Sequence, residues 1–404
     1  MDYKNPPMVV KLAWSLPWLA RYPFWRGRQS VTRAFSGDRR RSRNLIFTVA
    51  NHFEPAWSAS RVPLPIQQQL ARVKSWRLKA RRAGNLIRDF DNVPFRHTNF
   101  YPAEQYDRDL LDLLADLQSE GFGEVEVHLH HGVGRPDTAE NLRATLLDFT
   151  NILAERHGCL SRTTGDKTPR YAFVHGNYAL SNSAGGRYCG VDDEMRILAE
   201  TGCYIDMTLP SAPDRSQVSR INAVYEYGGD PNKRRAHERG RSVGVGRTPS
   251  LPVIMTGPLV FDWRSRRYGL PYPRLDCGVL ASSYRLDMER VRNWISAGVS
   301  VQGRPEWVFI KLHCHGFFPQ DQDYTIGEPI VRFFDDLLDH AQRTGEFKVH
   351  FATAREAFNM VMAAAADEAG EPGDFRNYLL SPVMGATATE PGILRQELTE
   401  KIAG

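Results

Sequence analysis

The stretch that most constrains the fold is residues 124–132, EVEVHLHHG. Its first residues alternate polar and apolar, which is the two-residue period of a β-strand. His128 and His130 project to the same face of that strand, whereas His131 can turn away where the pleat breaks. Neutral imidazole is a common zinc ligand, so we expect the end of this strand to supply part of a metal site. The alternative is a solvated polar strand end.

The 404 residues suffice for one large domain or two ordinary ones, and 42% hydrophobic with 25% charged residues is typical of a globular protein with a sizeable core. The net charge of +5 comes from arginine-rich stretches at 39–43, 77–82 and 233–241. The last two lack interleaved aromatic residues, so no nucleic-acid partner is expected. The 5 cysteines are scattered and form no CxxC pair, which predicts reduced thiols and a cytoplasmic location.

Residues 1–43 form an arm rich in aromatic and basic residues. Its apolar run is too short for a transmembrane segment and lacks the cleavage site of a signal peptide. The arm could make a peripheral contact with a membrane surface. We favour the alternative, a poorly ordered arm that packs back on the domain.

Apolar runs with strand character alternate with amphipathic helical runs along residues 44–365, which predicts an α/β fold of parallel strands. Strands are predicted at 44–50, 95–101, 124–130, 171–174, 203–208, 307–312 and 349–353. Helices are predicted at 63–82, 104–120, 138–157, 194–200, 288–295, 331–341 and 354–364. The polar stretch that begins at 211 and reaches about 300 is predicted to be a long insertion after the fifth strand, a loop at least to about 270. Residues 366–404 form a tail with no strong pattern.

Four of the predicted strand ends carry histidine. They are His52, the group at 128–131, His175, and the pair His313 and His315. Functional groups collect at the carboxyl ends of parallel strands in such folds. We therefore expect these histidines to converge on one metal-bearing pocket.

The order of these segments resembles the polysaccharide deacetylases of the NodB-homology type (carbohydrate esterase family 4), members of a wider β/α-barrel superfamily. IFTVANHFEP resembles their first strand, which ends in TFDD, and HTNFYP with EGFGEVEVHLHHG follow in the place of the ATFF-type strand and EIGNHTxxH. HGNY resembles RxPY, FIKLHCHG resembles the late strand ending LLH, and FATAREAF resembles FVTLSEL. The resemblance covers about residues 44–362 and implies a distorted β/α barrel.

The sequence departs from that family at several motif positions. Asn51 and His52 stand where the aspartate pair is expected, and asparagine cannot act as a base. The second histidine of the usual spacing would fall on Gly132, so His130 or His131 must take its place. His175 replaces the arginine of RxPY.

The resemblance implies a divalent metal, most simply zinc, held by His52, His128 and either His131 or His130. Glu54 is the nearest carboxylate that could act as base, Asp206 is another candidate, and His313 is the expected acid. The residues expected to contact substrate are Asn51, His175, Asn177, Tyr178 and His315. Phe53, Trp57, Tyr178 and Trp263 offer faces on which a sugar could stack.

The function that this resemblance implies is metal-dependent removal of acetyl groups from a carbohydrate, in exopolysaccharide or cell-surface glycan metabolism. A glycoside hydrolase of the same superfamily is an alternative, and it would need two carboxylates such as Glu54 and Asp206. A second alternative is a carbohydrate-binding relative that has lost catalysis.

Overall fold

The structure is a computed structural model that describes residues 6–27, 42–267 and 269–385. Most of the basic run at 39–43, and the tail beyond residue 385, therefore lie outside the described residues. The five cysteines lie within them and are unpaired.

A sheet of 10 strands forms the centre of the molecule. Its strands are β1 (Arg43–His52), β2 (His97–Pro102), β3 (Gly123–Leu129), β4 (Tyr171–His175), β5 (Cys203–Asp206), β6 (Ala223–Gly228), β7 (Arg239–Ser242), β8 (Val253–Thr256), β13 (Trp307–His315) and β14 (Phe347–Phe351). Four short strands lie outside this sheet in two antiparallel pairs, β9 (Val260–Asp262) with β12 (Arg274–Asp276) and β10 (Arg266–Arg267) with β11 (Leu270–Pro271).

The strand order is β13-β1-β2-β3-β4-β5-β8-β6-β7, and β14 pairs with β1. All neighbours are parallel except at β6, which is antiparallel to both β7 and β8. The α/β class and the parallel strands predicted from the sequence are confirmed. The predicted barrel is not, because the sheet is not closed over the described residues.

The region that was predicted as a loop to about residue 270 differs from that expectation. Strands β6, β7 and β8 lie within it and extend the main sheet beyond β5. These strands are short, 4 to 6 residues each; polar residues occur within β6 and β7, and β8 is a run of only 4 residues. Hydrogen bonds to neighbouring strands stabilise them. The apolar pattern within a segment gives no information about this stabilisation by pairing.

The helices flank the sheet and largely follow the predicted segments. They are α1 (Met8–Leu19), α2 (Ile66–Leu86), α3 (Arg108–Ser119), α4 (Ala139–Asn151), α5 (Glu194–Glu200), α6 (Met288–Ala297), α7 (Gln322–Ile326), α8 (Glu328–Thr344) and α9 (Ala354–Ala365). Several begin at a side-chain cap. Thr353, for example, forms a capping box with Glu356 at the start of α9.

The two faces of the sheet bury different sets of alternate residues. On β1, Leu45, Phe47 and Val49 belong to the larger core beneath the helices α2, α3, α4 and α8. Ile46 and Ala50 point to the opposite face, where they pack with α9. We call this second face the inner face. All 12 residues of α9 are buried, so this helix covers the inner face.

Every second residue of a strand points to the inner face. Several of these residues are polar, including some near the carboxyl ends of the strands. Glu124 of β3 is neutralised by Arg355 of α9, with Oε1 2.8 Å from Nη2. Further along the same strand lies His128, and on β13 the same parity reaches His313 and His315. The period of two in each strand therefore brings these histidines to one face and one edge.

The N-terminal arm packs on the insertion. Trp18 of α1 is buried in a small cluster with Ile221 and Leu259, and its ring lies 6.0 Å from that of Phe261. Apolar side chains on the other side of α1 are exposed, so the membrane contact expected for this arm stays a prediction. They are Met8, Val9, Leu12 and Leu16. Within the described residues, none of the helices has the length and apolar character needed to cross a bilayer.

The first part of the predicted tail packs against α9. The carbonyl oxygens of Arg376 and Leu380 accept hydrogen bonds from the amide of Asn359 at 2.7 and 3.0 Å. Leu380 is buried. Residues 366–385 thus belong to the folded unit although their sequence shows no periodic pattern.

Candidate functional site

Five side chains from three strand ends lie together at the carboxyl edge of the inner face. We call this group the open pocket; its members are His52, Glu54, His128, His130 and His315. His52 and His315 are paired in register on β1 and β13, and their rings lie 4.6 Å apart. The His52 ring is 4.9 Å from that of His128, which is 4.5 Å from that of His130.

His128 is held in one tautomer by the neighbouring strand. Its Nδ1 lies 2.7 Å from the carbonyl oxygen of Val174, and since a carbonyl only accepts, Nδ1 donates. In the neutral ring Nε2 is then a bare lone pair. This atom is buried and has no hydrogen-bond partner, although Glu54 Oε1 is 3.6 Å away.

His130 is oriented in the same way by a carboxylate. Its Nδ1 lies 2.6 Å from Glu104 Oε1, and its backbone N–H donates to Glu104 Oε2 at 3.2 Å. Its Nε2 faces Glu54 Oε1 at 3.2 Å. Burial alone would lower the pKa of His130, but the carboxylates of Glu104 and Glu54 raise it to about 10.

The ligand-type atoms of Glu54, His128 and His130 lie within 4.8 Å of one another. Burial would raise the pKa of Glu54, but the neighbouring imidazoles of His128 and His130 hold it well below its usual value. A carboxylate oxygen and two imidazole lone pairs that point at each other repel unless a cation lies between them. A proton on His130 is one such cation, and a divalent ion bound by two nitrogens and an oxygen is another.

The remaining imidazoles of this edge are neutral near pH 7. Burial, together with His315 and His128, holds the pKa of His52 well below its usual value. The pKa of His315 is lowered by burial as well, and that of His313 is well below its usual value because of burial and the Lys311 ammonium. Neutral imidazoles can accept a proton and return it.

Aromatic rings form one wall at the mouth of the open pocket. The ring of Phe318 stacks on His315, with centroids 4.5 Å apart, and Trp57 lies 4.3 Å beyond it. Trp57, Phe318 and His315 are all partly exposed. Tyr178 borders the pocket too, with its ring 6.3 Å from His52. Asn177 precedes it in the same left-handed turn.

His131 and His175 do not join the open pocket. Their rings lie 4.7 Å apart in a separate group with Cys189 and Glu194, which we call the closed cluster. The side chains in the predicted metal site therefore divide: His128 and His130 face the open pocket, whereas His131 faces the closed cluster. His131 has the same parity as Val127 and Leu129, whose side chains lie in the larger core, so the alternation of β3 directs it to the face opposite that of His128.

Two further predicted site residues have structural contacts away from the pocket. Asn51 is buried on the other side of β1, where its Oδ1 accepts from Gly316 N–H at 2.9 Å and links the ends of β1 and β13. Asp206 is fully buried and accepts from the backbone and hydroxyl of Thr208 at 3.1 and 2.7 Å. Burial raises the pKa of Asp206 to about 7.

Two of the aromatic residues expected to stack on a sugar are placed elsewhere. Phe53 is fully buried among Trp76, Tyr101 and Phe317, which is a core position. Trp263 is 63% exposed and lies beside Phe261, the residue that packs on α1.

A third group of potential ligands, Asp89, Asp91 and His350, already contains a cation. Arg376 Nη2 lies 3.0 Å from Asp89 Oδ2 and 2.8 Å from Asp91 Oδ2. A guanidinium in this position neutralises the two carboxylates. This group is a buried ion-pair network, and it requires no metal.

Sequence reasoning missed several residues that the fold brings to these groups. In the sequence, Glu104 marks only the start of a predicted helix, Cys189 is one of five scattered thiols, and Glu194 begins a short predicted helix. Phe318 lies outside the predicted strands and helices. None of the four stands in a local motif, and an acidic residue such as Glu194 is common in the first turn of a helix, so the sequence carries no signal for them.

No protein-family model matches the sequence, and no curated protein is similar to it at a significant level. Among solved structures, a GH57-type branching enzyme from the hyperthermophilic archaeon Pyrococcus horikoshii aligns with 78% of this chain and 69% of its own, at 9% identity and a TM-score of 0.35. A similarity at this level establishes neither a family nor an activity.

Proposed function

We propose that the open pocket is the active site of a divalent-metal-dependent hydrolase that removes acyl groups, acetyl above all, from a carbohydrate. The observation that carries the proposal is the convergence of His128 Nε2, His130 Nε2 and Glu54 Oε1 at 3.2 to 3.6 Å, with both Nδ1 atoms already bonded to acceptors. Fixed Nδ1 partners are the usual second shell of a metal-binding histidine.

Two nitrogens and one carboxylate oxygen suit zinc or a similar borderline metal, and three protein ligands leave a position for water or substrate. Such an ion supplies a polarised carbonyl and a water of lowered pKa. The pocket is accessible, since the side chains of His130 and Glu54 are 22% and 12% exposed. An open ligand position at an accessible edge is typical of a catalytic site and not of a structural one.

The proton steps fall to the neutral imidazoles of β1 and β13. His52 or His315 can accept the proton of the attacking water and pass it to the leaving amine or alkoxide, because both rings are neutral near pH 7, His52 lies beside His128, and His315 lies beside His52. This assignment makes Glu54 a ligand. The sequence favoured Glu54 as base and His52 as ligand, and the experiment below separates the two assignments.

The carbohydrate class is supported by the aromatic wall of Trp57, Phe318 and His315, since partly exposed flat rings at a polar pocket suit the face of a sugar. The order of motifs that resembles the NodB-type deacetylases supports the same class. A substrate made during exopolysaccharide or cell-surface glycan assembly is consistent with both the aromatic wall and the order of motifs.

A glycoside hydrolase is less well supported. Its acid must be a protonated carboxylic acid, yet the histidine partners lower the pKa of both Glu54 and Glu104 despite their burial. Asp206 has a raised pKa but is fully buried against Thr208.

The test is acetate release from an acetylated chitooligosaccharide by the zinc-loaded chain, with Glu54→Gln as the deciding variant. If Glu54 is a ligand, the variant binds zinc less tightly and also loses turnover. If Glu54 is the base, zinc content stays at the wild-type level and turnover falls by about two to four orders of magnitude. Unchanged turnover together with unchanged metal content would overturn the proposal.

The second comparison in that assay is His315→Ala against His313→Ala. We expect the larger loss of turnover for His315→Ala, because His315 stands at the pocket beside His52, whereas His313 is buried further down the strand. A larger loss for His313→Ala would return the acid role to the residue favoured by the sequence. If the wild type releases no measurable acetate but both variants weaken glycan binding, the protein is a carbohydrate-binding relative and not an enzyme.

A further inference from the structure

The closed cluster lies on the other side of the same strand end, and its four members come from four segments. His131 follows β3, His175 ends β4, Cys189 lies in the loop after β4, and Glu194 begins α5. Their potential ligand atoms lie within 4.8 Å of one another. Glu194, Cys189 and His175 are fully buried, and the His131 side chain is 5% exposed.

The ring nitrogens are arranged as in a metal site. His131 Nδ1 lies 2.9 Å from Asp137 Oδ2, and His175 Nδ1 lies 2.5 Å from the carbonyl oxygen of Gly176. The two Nε2 atoms therefore point inward, at 3.2 and 3.4 Å from Glu194 Oε1. His175 Nε2 is buried and has no hydrogen-bond partner.

The fourth donor is a thiol. Cys189 Sγ lies 3.5 Å from Glu194 Oε2, which also accepts from Ser181 N–H at 2.5 Å. Two imidazoles, one sulfur and one carboxylate oxygen form a four-donor set of the kind that holds structural zinc. A buried carboxylate next to buried imidazole lone pairs also needs a positive charge, since burying an uncompensated charge is costly.

The loops around the cluster are built to hold Cys189 against His131. Gly132 has φ +63°, and a Cβ there would lie 2.1 Å from the carbonyl oxygen of Cys189. The Gly132 carbonyl accepts from Tyr188 N–H at 3.1 Å, and the Cys189 carbonyl accepts from Asp137 N–H at 2.8 Å. Only glycine allows this approach, so the chain following His131 and the Cys189 loop are fixed side by side.

We propose that His131, His175, Cys189 and Glu194 bind a zinc ion that fixes the loop after β4 to the ends of β3 and β4. The site has four protein ligands and no access for substrate, so the ion is structural. Binding displaces the thiol proton of Cys189, and the proton is released to solvent. The inference is independent of the proposed function, because none of these residues belongs to the open pocket.

The first experiment uses the wild-type chain loaded with cobalt(II) in place of zinc. A thiolate bound to cobalt gives a charge-transfer absorption in the near ultraviolet, and Cys189 is the only thiol among the ligand-type atoms of the two described groups. We expect this band in the wild type and its loss in Cys189→Ser. Cys277→Ser is the matched control, since Cys277 lies outside both groups, and it should keep the band. Absence of the band in the wild type would overturn the proposal.

The metal content of the wild-type protein provides a test that does not depend on whether a variant folds. A mercurial thiol reagent added to the native wild-type protein should release about one equivalent of zinc per chain, as a thiolate ligand requires. His128→Ala should leave this releasable equivalent in place, because His128 serves the open pocket alone. If the reagent releases no zinc, the cluster is instead the ion pair of a protonated His131 with Glu194. A failure of the open pocket to bind metal would leave this result unchanged.

Discussion

His130 and His131 are neighbours in the chain, yet their imidazoles enter different groups. The open pocket and the closed cluster share one design, in which two histidines have Nδ1 held by an acceptor and Nε2 directed toward a carboxylate. They differ in access and in the remaining donor. The open pocket has a partly exposed edge and aromatic neighbours, whereas the closed cluster has a thiol and is sealed by its loops.

That difference distinguishes a group suited to catalysis from a group suited to stabilising the fold. A ligand group with a free position and an accessible edge can bring a substrate to a bound ion, whereas a group whose four positions are all filled by protein can only hold segments together. Because the two groups are built on consecutive residues, a metal in the closed cluster would also stiffen the backbone that carries His130.

The largest effect is expected for His128→Ala. The variant should lose the metal of the open pocket and lower hydrolysis at least about a thousandfold, because the ion supplies several kcal/mol of transition-state stabilisation. The zinc of the closed cluster should remain. Elemental analysis after dialysis, paired with acetate release, measures both. Equal metal content in variant and wild type would show that His128 is not a ligand and would contradict the distinction between the two groups.

Gly176→Ala should reduce activity through geometry alone. A Cβ at residue 176 would lie 2.3 Å from His130 Cδ2, so the ring of His130 must move. A displacement of about 1 Å in a catalytic group costs roughly a hundredfold in rate. Gly134→Ala is the matched control, because a Cβ there meets nothing within 4 Å. Equal kcat/KM values for the two variants would show that the position of His130 is unimportant.

Glu104→Gln should weaken the open pocket by a smaller amount. Glu104 keeps His130 in the tautomer whose Nε2 faces Glu54, and loss of such a partner typically lowers metal affinity or activity about 10- to 100-fold. Zinc affinity is measured by competition with a coloured chelator. The thiol-releasable zinc should be unchanged, and Glu140→Gln, at an exposed position, should behave as the wild type.

The ion-pair network of Asp91, His350 and Arg376 provides a reference without metal. Burial would raise the pKa of Asp91, but His350 and Arg376 lower it from 3.8 to about 2. Because this pKa is depressed in the folded protein, the stabilisation is present above about pH 4 and is lost as pH falls toward about 2.

Asp91→Asn should therefore lower the free energy of unfolding near neutral pH by at most about 2 kcal/mol, less the effect of solvent screening. The difference from wild type should shrink in acid, and a chelator should not alter it. Urea unfolding at a series of pH values gives the measurement. A chelator-dependent difference would mean that this group binds a metal after all.

The sequence alone determined the main helices and strands outside the insertion and the parity of their side chains. Alternation along residues 124–130 predicted that His128 and His130 share a face, and the apolar runs at 44–50 and 307–312 predicted buried parallel strands whose ends carry His52, His313 and His315. These features are local, because the period of two fixes which side of a strand each residue takes. The three roles assigned to this edge, ligand, base and acid, stay predictions.

Tertiary structure alone decided which strand ends meet and which side chains from distant segments each histidine contacts. The alternation of β3 gives His131 its side, but only the fold brings Cys189 and Glu194 to it, from 58 and 63 residues further along the chain, with the Cys189 loop packed on Gly132. The position of Asn51 away from the pocket is a local feature as well, since its parity on β1 is opposite to that of His52. The open sheet and the strands added by the insertion follow from pairing between distant segments. A local pattern specifies the face of the sheet on which a side chain lies. The distances between potential ligand atoms depend instead on sheet register and on loops whose course is set by packing.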